Sequence, residues 1–188
     1  FSGAGSNWLL SGDFEVNEVQ LEEGHLSINE NQIKINDLNS VGDQPKTLTL
    51  VNTNISGINS LAIDISGLLL ESENAGIVVP VSSSYNLNLG TNTFNGTIEL
   101  TGGEINVEGA GVIGNVEGFG ILTINGSHTW SNIDLDESSS LIMEEGTTQV
   151  ISNAFKLSAT SDNRIALSSS GIGLATLEFT DHVKICLD

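Results

Sequence analysis

The sequence has little positive charge, little sulfur, few aromatic rings and almost no helical patterning. Among 188 residues, 5 Lys and Arg stand against 24 Asp and Glu, leaving a formal net charge of −19. A chain of this sign repels phosphate, so nucleic acid is not an expected partner. It also repels anionic lipid head groups. No apolar run approaches the ~20 residues that cross a bilayer as a helix, so membrane insertion is not expected. One cysteine, Cys186, cannot close a disulfide within the chain, and Cys186, His25, His128 and His182 are too scattered for a zinc site. The start, Phe1-Ser-Gly-Ala-Gly, has no Met, no basic segment and no apolar leader. The end, Val183-Lys-Ile-Cys-Leu187 ahead of Asp188, is patterned like a strand. Residues 1–188 are therefore read as a single module from inside a much longer protein, with strands expected beyond Asp188.

Gly, Ser, Asn and Thr, in contrast, fill 78 of 188 positions, and apolar residues alternate with polar ones through most of the chain. Thr47-Leu48-Thr49-Leu50, Thr97-Ile98-Glu99-Leu100 and Glu104-Ile105-Asn106-Val107 each put two apolar side chains on one face. The breaks are turn dipeptides: Ser66-Gly67, Asn95-Gly96, Gly102-Gly103 and Asn125-Gly126. No stretch of a dozen residues carries a helical stripe. The chain is thus all-β. A parallel β-solenoid, β-helix-like, fits best, with a β-sandwich as the alternative. Abundant Asn and Ser suit stacked corners, and few aromatics are available to fill the space between two sheets. Asn92-Thr-Phe-Asn-Gly-Thr-Ile-Glu-Leu100 also resembles His128-Thr-Trp-Ser-Asn-Ile-Asp-Leu135, at an offset of 36 residues, which two short coils or one long one would give. The alternation predicts a buried set of Leu48, Leu50, Ile63, Ile98, Leu100, Ile105, Val107, Leu122, Ile124, Ile133, Leu135, Leu177 and Phe179.

An ordered succession of segments carries a resemblance. It runs Gly5-Ser-Asn-Trp8-Leu-Leu-Ser-Gly-Asp-Phe14, Gly24-His-Leu-Ser-Ile-Asn29, Lys46-Thr-Leu-Thr-Leu50 and Asn92-Thr-Phe-Asn95. Gly146-Thr-Thr-Gln149, Ile165-Ala-Leu-Ser-Ser-Ser170 and Val183-Lys-Ile-Cys-Leu-Asp188 complete it. This resembles a module of very large secreted surface proteins of the Bacteroidota, exported by type IX secretion and serving as adhesins, some in gliding motility. The resemblance implies a secreted solenoid at the cell surface, outside the outer membrane, with no catalytic residues to carry over. The implied partners are the secretion apparatus, neighbouring modules of the same chain and surface glycans.

The residues themselves offer few sites. The acid pairs Asp134/Asp136 with Glu137 beside them, Glu22-Glu23, Glu71/Glu73 and Glu144-Glu145 could serve a glycosidase or a calcium-assisted lyase. None of Lys34, Lys46, Lys156, Arg164 and Lys184 is expected beside such a pair, so a solvated acidic face is the expectation and no catalytic residue is assigned. Asp13, Asp37, Asp43, Asp162 and Asp181 occupy turn-like positions, yet no calcium-loop repeat occurs. Asp134-Leu-Asp136-Glu137 comes nearest, which makes Asp134, Asp136 and Glu137 the candidates for weak calcium binding; no other cofactor is expected. The three histidines read as surface or turn residues. Trp8 and Trp130 read as core or cap packing, with sugar stacking as the alternative. Two functions follow: a non-catalytic structural or adhesive module, or a polysaccharide-binding or polysaccharide-degrading β-helix.

Overall fold

The computed structural model describes residues 1–29, 32–58 and 60–187, and among these there is no helix. Asp188, which closes the expected terminal strand, lies outside the described residues. Every strand pairing is parallel, and the strands stack as a β-solenoid, which sets the sandwich aside.

The chain winds around three faces. The first is built by β1 (Asn7–Ser11), β3 (Gly24–Asn29), β5 (Lys46–Val51) and β8 (Leu69–Glu73), which form a four-stranded sheet. It continues through the opening residues of β11 (Thr93–Glu108), β12 (Val112–Asn125), β13 (Thr129–Leu135) and β15 (Thr148–Leu157), and through β17 (Thr176–Phe179). The second face holds β6 (Asn54–Ser56), β9 (Gly76–Pro80), the middle of β11 and β12, the ends of β13 and β15, and β18 (Lys184–Leu187). The third face holds β7 (Leu61–Asp64), β10 (Ser84–Asn88), the ends of β11 and β12, β14 (Ser140–Met143) and β16 (Ala166–Ser169). Both β2 (Phe14–Leu21) and β4 (Gln32–Ser40) run across the second and third faces.

Asn7 lies beside His25, Thr47 beside Leu69, Val112 beside Thr129 and Thr148 beside Thr176, so these four rungs take 18, 22, 17 and 28 residues. Phe94 stacks on Ile113 and Ile113 on Trp130. The 36-residue similarity therefore spans two coils. The segments read as separate strands at 97–101 and 104–108 belong to one strand, β11, bent at Asn95-Gly96 and Gly102-Gly103. A solenoid corner changes direction without giving up the pairing to the rung below, so these dipeptides bend the strand instead of ending it.

The interior is a single apolar column holding eleven of the thirteen residues expected to be buried. Leu177 and Phe179 are the exceptions: Leu177 is half-buried and Phe179 is 37% exposed. Their phase is right, because Leu177 lies over Gln149 and Phe179 over Ile151, both fully buried. Phe179 also meets Phe155 edge-on at 5.6 Å. Among the described residues nothing stacks on the other side of β17, and this leaves the outer surfaces of Leu177 and Phe179 open.

The outer walls carry columns of short polar side chains. Asn132 Nδ2 donates to Asn115 Oδ1 at 2.5 Å, Asn153 to Asn132 at 2.7 Å, and Asn115 to Thr97 Oγ1 at 3.3 Å. Asn125 donates to Asn106 at 2.8 Å. Each amide spends one N–H on the rung below, as in stacked Asn ladders elsewhere.

Candidate functional site

Coil-to-coil stacking brings together residues that lie far apart in sequence. On the second face Glu99, Glu117, Asp134 and Lys156 occupy one column, each opposite the next in register. Lys156 Nζ donates to both oxygens of Asp134, at 2.9 and 3.1 Å. Against the expectation that no basic residue lies beside an acidic pair, Lys156 meets Asp134 of the Asp134/Asp136 pair, because a rung of 22 residues returns it there. The two side chains are 41% and 42% exposed, so water screens the pair. Asn115, Asn132 and Lys184 flank the same strip, and Cys186 follows Lys156 in its column.

The three calcium candidates divide. Asp134 faces outward from β13 into the ion pair with Lys156. Asp136 and Glu137 lie on the turn after β13 and line an open pocket of about 570 Å³ together with Phe119, Ser138, Ser158 and Thr160. Glu137 accepts from Thr160 Oγ1 at 2.9 Å. Among the described residues no group of three or more His, Cys, Asp or Glu side chains comes together as a metal site. The paired acids elsewhere are also scattered: Glu71 takes a hydrogen bond from Thr49 Oγ1 at 2.9 Å on the first face, while Glu144 takes one from the Gly126 N–H at 2.7 Å.

The histidines and tryptophans are placed unequally. His25 is half-buried and its Nε2 meets Thr49 Oγ1 at 2.8 Å, and His182 is exposed in a turn. His128, expected at the surface or in a turn, is instead buried. Its Nε2 lies 3.2 Å from the Asn125 carbonyl, which can only accept, so Nε2 carries the proton. Nδ1 has no partner. Burial pushes the imidazole below its ordinary value, opposed in part by the Asn125 and Gly111 carbonyls. Trp130 is fully buried, and its Nε1–H donates to Gln149 Oε1 at 3.1 Å. Trp8 is half-buried against Phe1, ring centroids 5.5 Å apart. Trp130 is thus core and Trp8 an end cap.

Two residues were given no structural role from the sequence. Gln149 is fully buried; it accepts from the His128 N–H and from Trp130, and donates to the Gly126 carbonyl and Thr147 Oγ1. Phe119 is 45% exposed at a corner that also exposes Val81. The available signal for it was Gly118-Phe119-Gly120, an aromatic between two flexible residues.

Compared with family models, curated proteins and solved structures, the chain gives no match.

Proposed function

We propose that this chain is a non-catalytic structural or adhesive module of a secreted cell-surface protein, exported by type IX secretion. The observation that carries the reading is the parallel stack, in which each rung covers the apolar face of the last. Such a stack gives length and stiffness without covering helices or long loops, and reach is what an attachment protein or gliding filament needs. The −19 charge keeps copies apart. Secretion and gliding rest on the sequence resemblance alone. The test is deletion of the parent gene: loss of attachment or spreading with unchanged polysaccharide breakdown supports the reading. Loss of growth on one polysaccharide with attachment intact overturns it.

A second reading, a polysaccharide-degrading β-helix, draws on one observation, the Glu117–Asp134–Lys156 column, where acids and a base meet on one wall. It requires new reducing ends when the protein is incubated with a polysaccharide, and their loss in Lys156→Ala.

A further inference from the structure

We infer that the corner pocket around Phe119 is a binding subsite for a neutral hexose-based glycan. This deepens the adhesive reading and rests on it for biological purpose, though not for its chemistry.

Phe119 has no part in the interior. Its strand neighbours Val116 and Leu122 are fully buried, whereas its own ring faces out over the corner between the second and third faces. The backbone there is shaped for that presentation. Gly118 has φ +98°, and a Cβ on it would collide with the Leu100 carbonyl oxygen; a Cβ on Gly120 would collide with the Gly103 carbonyl oxygen. One rung below, a Cβ on Gly102 would come within 3.0 Å of the Phe119 ring. Gly102 therefore leaves room beside the ring, while Gly118 and Gly120 let the backbone on either side of Phe119 lie close against the rung below.

The same backbone is tied to the acidic turn above it. The Asp136 N–H donates to the Gly118 carbonyl at 2.8 Å, and the Gly120 N–H donates to Ser139 Oγ at 3.3 Å. Ser139 Oγ in turn donates to the Asp136 carbonyl at 2.6 Å. Both residues flanking Phe119 are thus fastened to the segment that carries Asp136 and Glu137. On the far side, the chain between β15 and β16 departs from the coil. Ser140 pairs with Ala166, 26 residues on, against 19 for Ile121 and Ser140 on the rung below. The extra chain forms a wall at the pocket, held by Thr160 Oγ1 to Glu137 and by the Asn163 N–H to Thr160 Oγ1 at 3.1 Å.

The result is an apolar aromatic floor, two carboxylates and hydroxyls on the wall, in a volume that suits a small ligand. A pyranose has the matching chemistry. One ring face is a patch of C–H groups that packs on an aromatic, and its vicinal hydroxyls donate to carboxylates. The exposed carboxylates and the net charge of −19 select against uronates and sulfated sugars.

The test uses the 188-residue chain against immobilised cello-, manno- and chito-oligosaccharides, with polygalacturonate as the anionic comparator. Binding to at least one neutral oligosaccharide is expected, weakened roughly tenfold or more in Phe119→Ala, kept in Phe119→Trp, and reduced in Glu137→Gln. An unchanged melting temperature in Phe119→Ala shows that the loss is not unfolding. No binding to any neutral oligosaccharide, binding that survives Phe119→Ala, or a preference for polygalacturonate overturns the proposal. Cells that attach normally with Phe119→Ala in the parent gene, but not when the gene is deleted, overturn the subsite and leave the adhesive module standing.

Discussion

Strands β13 and β18 share the second face and the same alternation, yet their apolar residues fare differently. Ile133 and Leu135 have no exposed surface, whereas Ile185 is 51% and Leu187 69% exposed. β13 is held between β12 and β15; β18 pairs with β15 alone among the described strands. The hydrophobic pattern specifies which side chains turn inward. A second neighbour is what removes them from water, so burial in a solenoid belongs to pairs of rungs more than to single ones.

That contrast can be broken most sharply in the interior. Ile133→Ala should cost ~2–5 kcal/mol in urea denaturation, while Leu187→Ala should change stability by less than about 0.5 kcal/mol. Comparable losses at both sites would mean that β18 is as well covered as β13. Gln149→Leu should cost about 3 kcal/mol, because it strands the His128 N–H and the Trp130 indole inside the stack. Gln149 lies under Leu177, and a loss that small-to-absent would show that water reaches this level from the last rungs.

His128 gives a pH-dependent version of the comparison. Its folded value is depressed, so the unfolded chain takes up the proton first. The stability tied to the neutral ring is complete above the ordinary value of 6.5 and is lost as pH falls below it toward the lower folded value. Thermal melts between pH 7 and 5, above most carboxylate titration, should show this decline, and His128→Phe should flatten it. Hydrogen exchange should find amides of β11–β13 slow and those of β16–β18 fast. The smallest effect is expected from Lys156→Ala, about 0–1 kcal/mol, since its ion pair with Asp134 is screened.

Much of the interior was legible because a period of two leaves no freedom about which face is apolar. The eleven positions expected inside from Leu48 to Leu135 are all buried. The corners were less legible: Asn-Gly and Gly-Gly serve a hairpin as readily as a bend, and only the pairing distinguishes them. The lateral partners were not legible at all. Lys156 meets Asp134 across 22 residues, and Thr160 meets Glu137 across 23, and neither distance can be read without knowing the length of that rung. Gln149 escaped for another reason. A polar residue at an inward position contradicts the hydrophobic pattern, and it is tolerated only because four partners await it.

The direction of the ladders has a mechanical consequence. Hydrogen bonds between rungs run along the long axis, so a pull on the two ends opens them in sequence, one rung peeling from the next. Rungs of 17 to 22 residues fill most of the stack. Each one released adds on the order of 60 Å of extended chain. A tether built this way lengthens in steps under load while its remaining coils stay folded, and it spreads a sudden force over time and distance instead of passing it on whole.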